Sequence, residues 1–356
     1  MDAAVLEVHG LVRDERWLAD RALERVLRRE RRLWASERRA VAESVYGMVR
    51  WQGQLEWLLG RGGYGEPGPR RDPAAVYAAW LARFGGLDAS EAVRRLGLPS
   101  SALQGLARAG ERLAAIADPV ERLAAEVSLP AWIAGRFAAE MGLEEARALA
   151  RAMNQRAPLT VRANLLRGTR EALRERLSEE GVAAEATPHS PWGLVLDGHA
   201  NAFALRAFRE GLFEIQDEGS QLIALACGAR PGWTVVDACA GAGGKSLALA
   251  MEMRNKGSLH ALDVDADRLE EARRRARRAG VHNLRTRVVP AAGPEAEAAA
   301  ADLAGKADLV LVDAPCSGLG TLRRKPDARW RLEPGDPARF SEAQREIGAR
   351  FAKLAR

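Results

Sequence analysis

The sequence predicts an α/β domain built on a parallel sheet, preceded by a small α+β segment and an all-helical N-terminal region. Short β-branched runs alternate with helical stretches from about residue 215 onward. The run 309–312 is continuously apolar, which is typical of a strand buried on both faces of a parallel sheet. From Val41 onward, apolar residues recur instead with the spacing of one helix face.

Composition narrows the class of protein. The chain has 356 residues, which suits about two to three domains. Lys and Arg number 54 against 48 Asp and Glu, and the net charge of +6 suits a polyanionic partner such as nucleic acid. Three cysteines are too few for a disulfide framework, so we expect a reducing, cytoplasmic setting. We expect no membrane span, no secretory signal and no metal site.

The first predicted domain, residues 1–125, is helical. The apolar face of Val41–Leu59 predicts a long helix, for which Ser36 is the expected N-cap. The stretch Arg21–Arg39 has eight Arg against three Glu, and it is either a solvated helix face or a surface that contacts phosphates. The stretch Gly60–Pro73 is rich in Gly and Pro and predicts a loop.

The second predicted domain, residues 126–214, is a small α+β unit that links the other two. Leu159–Ala163 and Gly193–Leu196 have the composition and alternation of strands. Thr169–Glu179 is helical, with Gly181 in the position of a C-terminal stop.

The third predicted domain, residues 215–356, alternates strands with helices, which specifies a parallel sheet with right-handed crossovers. Its predicted strands are Trp233–Asp237, Leu259–Val264, Arg287–Val289 and Asp308–Asp313. Its predicted helices are Lys245–Met253, Ala266–Ala279 and Phe340–Arg356. The Ala- and Glu-rich insert Ala291–Gly305 carries no chemistry.

A glycine-rich loop between the first of these strands and its helix is the strongest local signal. It runs Asp237-Ala-Cys-Ala-Gly-Ala-Gly-Gly-Lys-Ser246, and glycines there let backbone N–H groups approach an anionic ligand at a helix N-terminus. A phosphate-binding P-loop would need Gly at position 239, which is Cys. A dinucleotide fingerprint would need Gly at position 246, which is Ser. The remaining interpretation is the cofactor loop of an S-adenosylmethionine enzyme.

Asp263 ends the next predicted strand, roughly twenty residues past this loop. A carboxylate in that position either accepts two hydrogen bonds from a ribose diol or caps the following helix. Agreement with the glycine loop favours ribose binding.

A second turn, Asp313-Ala-Pro-Cys316-Ser-Gly318, follows the apolar strand at its carboxyl end, where ligands bind in open α/β sheets. A lone cysteine is usually a small buried apolar residue, but Cys316 lies between Pro and Ser-Gly and close to an Asp, which favours chemistry. A basic stretch with an aromatic follows and suits an RNA backbone and an unstacked base. Its members are Arg323, Arg324, Lys325, Arg329, Trp330 and Arg331.

Together these motifs resemble the cytosine-5 RNA methyltransferases of the NOL1/NOP2/Sun type, in particular the bacterial small-subunit rRNA branch (RsmB or Fmu). The glycine loop is similar to that family's cofactor loop, and Asp313–Gly318 to its signature turn. Ile215–Gln221 is similar to the family's entry into the catalytic domain, and Arg38–Leu59 to the NusB-like RNA-binding domain in front of it.

The resemblance implies a class I, Rossmann-like methyltransferase domain, a NusB-like helical domain and an RNA-contacting α+β segment between them. It implies that S-adenosylmethionine binds Cys239, Ala240, Gly241, Ala242, Gly243, Gly244, Lys245, Asp263 and Asp313. It implies rRNA, contacted by Arg323, Arg324 and Lys325, as substrate. A cysteine thiolate adds to cytosine C6 so that C5 becomes nucleophilic. Asp313 is suited to contact the base, and Cys316 to assist product release.

The sequence also departs from the family. It ends at Arg356, before the strand and the Thr-Cys turn that carry the family's attacking cysteine, so we expect a truncated domain whose apolar strand Leu309–Val312 lies at an edge. Ala242 replaces a frequent Pro, and the usual acidic residue after Val289 is missing. Two alternatives stay open: Cys316 is itself the nucleophile, or the chain is an inactive RNA-binding module. A P-loop NTPase is a more distant one.

Overall fold

A computed structural model describes residues 1–60, 71–197 and 200–356 of the chain. Contacts group these residues into two units, Met1–Ala157 with Ser317–Asp336, and Pro158–Cys316 with Pro337–Arg356. The three domains predicted from the sequence, with boundaries after residues 125 and 214, stay a prediction. Most of the loop predicted at Gly60–Pro73 lies outside the described residues. Within the described ranges, no helix is both long and apolar enough to span a membrane.

The first unit is helical, as predicted. Its helices up to Ala157 are α1 (Asp2–Arg13), α2 (Ala19–Arg29), α3 (Ala35–Leu58), α4 (Pro73–Arg83), α5 (Ala89–Arg95), α6 (Ala109–Ala114), α7 (Pro119–Val127), α8 (Ala131–Met141) and α9 (Leu143–Asn154). A 3-10 helix, Ser100–Leu106, lies between α5 and α6. One core formed by α1 to α5 contains the fully buried Val45, Met48 and Val49 of α3, which are among the residues whose spacing predicted this helix.

Two details of the N-terminal helices correct or qualify the sequence analysis. Helix α3 begins at Ala35, so Ser36 is not its N-cap; the Glu37 carboxylate accepts the Trp34 backbone N–H at 2.8 Å instead. In the basic stretch, Arg38 donates to the carbonyl oxygens of Leu27 and Glu30 at 2.6 and 2.7 Å and so closes the turn between α2 and α3. That arginine is structural, and phosphate contact by the others stays a prediction.

His9 of α1 is fully buried, and among the described residues neither ring nitrogen has a hydrogen-bond partner. Burial lowers the pKa of His9 from 6.5 to about 4. Between pH 6.5 and about 4, His9 is therefore protonated in the unfolded chain but neutral in the folded unit. The folded state loses stability as the pH falls through this range. We expect the wild type to lose about 2 kcal/mol more than His9→Leu between pH 7.5 and pH 5. Urea unfolding at both pH values measures this, and parallel losses would contradict it.

The second unit contains two sheets. Its elements up to Cys227 are β1 (Leu159–Ala163), α10 (Arg170–Glu179), β2 (Ala184–Ala186), β3 (Gly193–Leu196), α11 (Arg206–Arg209), β4 (Phe213–Ile215) and α12 (Glu218–Cys227). The remaining elements of the chain are β5 (Thr234–Asp237), α13 (Gly244–Glu252), β6 (Ser258–Asp263), α14 (Ala266–Ala279), β7 (Leu284–Val288), α15 (Pro294–Ala298), β8 (Leu309–Leu311), α16 (Ala328–Arg331) and α17 (Asp336–Ala352), of which α16 belongs to the first unit.

Strands β1 to β4 form an antiparallel sheet in the order β2-β3-β1-β4. Alternation along β1 sends Val161 and Ala163 into an apolar core with Leu173 and Leu177 of α10. Arg162 therefore lies on the opposite face of the sheet. The small α+β unit predicted from the sequence is present.

Strands β5 to β8 form a parallel sheet in the order β7-β6-β5-β8. Val235 packs with the α13 side of the sheet and its neighbour Val236 with the side that includes Phe351 of α17, and both are fully buried. Both faces of the sheet are therefore covered at β5, as in a parallel sheet packed between helices. The Rossmann-like fold class is confirmed.

Strand β8 differs from its prediction. It comprises Leu309–Leu311 instead of Asp308–Asp313, and its residues are half-buried, not fully buried. Within the described residues it pairs with β5 alone and so forms one edge of the sheet, which leaves its other side without a covering strand.

Candidate active site

The glycine loop lies between the end of β5 at Asp237 and the start of α13 at Gly244. Gly241 and Gly243 have φ angles of +53° and +80°, in the left-handed region that favours glycine. A Cβ on Gly243 would lie 2.9 Å from the Cβ of Ala272 on α14, so this close approach of loop and helix also requires glycine.

Asp263 holds the glycine loop against the end of β6. Its Oδ2 accepts the Gly241 N–H at 2.7 Å, and its Oδ1 accepts the Asp265 N–H at 2.9 Å. The N-cap of α14 is Asp265, whose side chain accepts from Asp267 and Arg268, so the interpretation of Asp263 as a helix cap is wrong. Each carboxylate oxygen has a second lone pair that can accept a ligand hydroxyl.

The glycine loop and the turn that starts at Asp313 meet at one end of the sheet. Strands β5 and β8 pair in parallel with Val236 opposite Val310, so their carboxyl ends are adjacent. Lys245 Nζ donates to Asp313 Oδ2 at 2.5 Å. The two motifs that sequence analysis singled out separately are therefore joined by an ion pair.

A cleft of about 260 Å³ opens between these motifs. It is lined by Ile215, Gln216, Asp217, Ser220, Asp237, Cys239, Ala240, Gly244, Lys245, Arg275 and Asp313. Five of the residues predicted to bind a cofactor are among them: Cys239, Ala240, Gly244, Lys245 and Asp313. The others, Gly241, Ala242, Gly243 and Asp263, belong to the same loop or hold it.

Asp237 is the most deeply buried acid of the cleft. Its Oδ2 accepts the Ser246 hydroxyl at 2.7 Å, whereas Oδ1 is buried without a hydrogen-bond partner among the described residues. Burial raises the pKa of Asp237 to about 6, although Ser246, Lys245 and the Cys239 backbone favour the charged form. A buried acceptor with no donor is a group that a cationic ligand would satisfy.

The three cysteines differ in environment. Burial, with a smaller contribution from the nearby carboxylates, raises the pKa of Cys239 to about 11, and burial also raises the pKa of Cys227. Both therefore stay protonated at neutral pH and are poor nucleophiles. Cys316 is exposed, and the preceding Pro315 carbonyl accepts from Gln344 Nε2 of α17 at 2.9 Å.

The basic stretch after the turn belongs to the first unit, and part of its prediction is wrong. Arg329 is fully buried and donates to the Ser128 carbonyl at 3.1 Å and to Asn154 Oδ1 at 2.9 Å. Trp330 packs in the helical core, and its Nε1 donates to the Val49 carbonyl at 2.7 Å. Arg329 is withdrawn from RNA by its complete burial, whereas the Trp330 ring is half-buried and its contact with RNA stays a prediction.

The residues predicted to contact RNA differ in exposure. Arg323 is half-buried and donates to the Arg156 carbonyl at 2.9 Å, and its own carbonyl accepts from Arg50. Arg324 is half-buried as well, whereas Lys325 is exposed. RNA contact by these three residues stays a prediction, and Lys325 is the most accessible of them.

Three charged residues that no sequence motif indicated also contact the glycine loop or one another beside it. Arg162 donates to the Gly244 carbonyl at 2.9 Å, and Arg275 donates to the Ala242 carbonyl at 2.8 Å. Glu214 pairs with Arg275 at 3.0 Å. Two of them could have been suspected from the sequence, because Arg162 and Glu214 are charged residues within short strands of mostly apolar residues.

The fold and cleft define a class of protein. A parallel sheet with a glycine loop after one strand and a carboxylate at the end of the next is the architecture of Rossmann-like nucleotide-binding domains. Two family models agree in a narrower assignment: "16S rRNA methyltransferase RsmB/F" matches residues 224–355, and the "RsmF/B-like, ferredoxin-like domain" matches residues 129–202.

Relatives extend the match over most of the chain. The probable ribosomal RNA small subunit methyltransferase B of Synechocystis is 30% identical over 94% of this chain and 78% of its own length. That of Bacillus subtilis is 36% identical over 67% of this chain, and the chain covers about half of its length, 53%. The crystal structure of PH0851 is 25% identical, with a TM-score of 0.74 over 99% of this chain and 82% of that one. The chain belongs to the RsmB/F family of rRNA methyltransferases within the NOL1/NOP2/Sun group.

Proposed function

We propose that this protein transfers the methyl group of S-adenosylmethionine to C5 of a cytosine in small-subunit ribosomal RNA, in the cytoplasm. The observation that carries the proposal is the Lys245–Asp313 ion pair of 2.5 Å, which joins the glycine loop to the turn that contains Cys316. Membership of the RsmB/F family supports RNA as the substrate.

The residues of the cleft fit S-adenosylmethionine. The unpartnered Oδ1 of Asp237 would accept from the ammonium group of the cofactor, and Asp263 from its ribose hydroxyls. The glycine loop would pass beside the methionine end, where Gly241 and Gly243 keep the backbone free of side chains. When bound, the cofactor supplies a methyl group on a positively charged sulfur.

The residues of the Asp313–Cys316 turn would act on the base. A thiolate that adds to C6 forms an S–C6 bond and moves electron density to C5, which is otherwise too weak a nucleophile. After methylation, loss of the C5 proton and of the thiolate restores the ring. We assign to Asp313 a contact with N3 or the ring amine that favours addition, and to Cys316 the release of product. Cys316 as the attacking thiol is the alternative, because it is the exposed one of the three cysteines.

RNA would be held by the basic residues of the helical unit. Lys325 is exposed and, with Arg323 and Arg324, lies five to seven residues after the turn in sequence. Each lysine or arginine at a phosphate releases counterions, so binding should weaken with salt.

We expect the full-length gene product to transfer labelled methyl from S-adenosylmethionine to small-subunit rRNA, with the label on C5 of cytosine after nuclease digestion and chromatography. Asp313→Asn is expected to lower the rate about 100-fold or more, because the carboxyl proton or charge at the base is lost. Cys227→Ser, at the C-terminal end of α12 and outside the lining of the cleft, is the control and should retain activity. RNA binding with no cofactor binding in calorimetry would instead favour an inactive RNA-binding module.

RNA that contains 5-fluorocytosine separates the two roles of Cys316, because fluorine at C5 cannot leave as a proton does. If Cys316 is the attacking thiol, Cys316→Ser abolishes the covalent adduct. If it assists release, another cysteine attacks C6, so the adduct of the full-length gene product persists in Cys316→Ser, and unmodified RNA also stays bound. Absence of any adduct and of any methyl transfer would contradict the proposed mechanism.

A further inference from the structure

Two charged side chains on neighbouring strands of the antiparallel sheet are buried beside the glycine loop. Arg162 of β1 and Glu214 of β4 are opposite each other in register, and each is 2% exposed. They lie on the face of the sheet opposite to the apolar core of Val161 and Ala163. Buried charges are costly unless they are paired and hydrogen-bonded, so the contacts of these two residues need an explanation.

These contacts lead to the backbone of the loop. Arg162 Nη1 donates to the Gly244 carbonyl at 2.9 Å and also to the side-chain carbonyl of Gln216. Arg275 of α14 donates through Nη1 to the Ala242 carbonyl at 2.8 Å and through Nε to Glu214 at 3.0 Å. Two carbonyl groups at the helix end of the loop are thus each held by a guanidinium group.

We propose that Arg162, held by Gln216, and Arg275, held by Glu214, are positioning residues that fix the glycine loop in the conformation that binds the cofactor; the inference rests on the proposed function. In a trans peptide the C=O and the following N–H point in opposite directions, so a fixed carbonyl also fixes the direction of the next N–H. Glycines make the loop costly to order, and a loop ordered before binding avoids that cost when the ligand arrives.

The electrostatics of the group agree with this role. Glu214 is ion-paired with both Arg275 and Arg278, and its charge also acts on the nearby Arg162. Burial lowers the pKa of Arg162 to about 10, and Glu214 opposes that shift. Arg162 therefore stays charged at neutral pH, and its hydrogen bond to the Gly244 carbonyl is a charge-assisted one.

Three variants test the contact between Arg162 and the loop. Arg162 is not among the described residues that line the cleft, so Arg162→Met removes the loop contact without removing a direct ligand contact. Arg278→Met is the control, since Arg278 pairs with the same Glu214 but, within the described residues, makes no hydrogen bond or ion pair with the loop. Arg162→Lys keeps a charged donor.

Calorimetry with S-adenosylmethionine on the whole chain tests the proposal. We expect the Kd to rise about tenfold in Arg162→Met, to recover partly in Arg162→Lys and to change less than about twofold in Arg278→Met. A Kd for Arg162→Met within twofold of the wild type would overturn the inference while leaving the proposed function intact. A wild type that binds no cofactor would overturn the proposed function and with it the role in cofactor binding.

Amide hydrogen exchange without cofactor separates positioning from general destabilisation. We expect faster exchange confined to residues 239–247 in Arg162→Met, with the core of β5 and β6 unchanged and with Arg278→Met like the wild type. Uniformly faster exchange across the unit would mean that Arg162 acts on overall stability, and it would overturn the positioning role.

Discussion

Arg329→Ala is expected to lower the free energy of unfolding of the helical unit by about 4 kcal/mol, because a large cavity and unsatisfied carbonyls are left in its interior. Arg329 is fully buried, and its Nη1 lies 3.1 Å from the Ser128 carbonyl at the C-cap of α7. A cation at the C-terminus of a helix also favours the helix dipole. Urea unfolding followed by tryptophan fluorescence measures the change.

Lys325→Ala is the matched control for this variant. Lys325 is a basic residue four positions earlier in the same stretch, but it is exposed, so its loss should change stability by less than about 0.5 kcal/mol. If Lys325 contacts RNA as proposed, its variant weakens RNA binding at unchanged stability. Equal unfolding midpoints for the two variants would contradict the structural role of Arg329.

Gly243→Ala is expected to weaken cofactor binding by at least about tenfold, since the loop must move to accept a side chain. The φ of +80° strains any L-residue, and the added Cβ would lie 2.9 Å from the Ala272 Cβ and 3.1 Å from Leu247 Cδ1. Calorimetry with S-adenosylmethionine measures the loss, and a thermal scan shows whether the unit is still folded.

Variants of two neighbouring glycines separate the effect of backbone strain from the effect of the close contact with α14. Gly241 has a φ of +53° but no heavy atom within 4 Å of an added Cβ, so Gly241→Ala isolates the backbone strain, about 1 kcal/mol. For Gly244, the nearest atom would be Gln216 Nε2 at 3.7 Å, an ordinary contact, and Gly244→Ala should be the mildest. If all three variants bound cofactor equally well, close packing of the loop on α14 would not matter for binding.

Many helices and strands could be predicted because the spacing of apolar residues along the chain shows which face of each element is buried. Helix α14 has the bounds predicted for it, Ala266–Ala279, and β1 and β3 also match. Gly280 ends α14 in a left-handed conformation, as a glycine stop does. The predicted N-cap of α3 and the predicted length of β8 were wrong. The start of α3 depends on a hydrogen bond from the Glu37 side chain, and the length of β8 depends on which strands pair with it.

The candidate site was predictable where chemistry and chain position coincide. The glycine loop, Asp263 and the Asp313–Cys316 turn all follow strands, and parallel strands bring their carboxyl ends together. The Lys245–Asp313 pair joins residues 68 positions apart, and only the order β5-β8 in the sheet makes them neighbours. Asp237 was predicted as the end of a strand, but its buried, unpartnered oxygen is a property of the packing around it.

The sequence by itself determined the α/β alternation, the positions of the two turns and the family, because these depend on short-range patterns of apolar, glycine and acidic residues. Tertiary structure decided which charges are buried. Arg329 and Lys325 belong to one basic run, yet the first donates to helix carbonyls up to 279 positions away and the second is exposed to solvent. Arg162 likewise donates a hydrogen bond to a carbonyl 82 positions away. A charge enters the interior only where distant backbone groups offset its desolvation, and no local pattern encodes those partners.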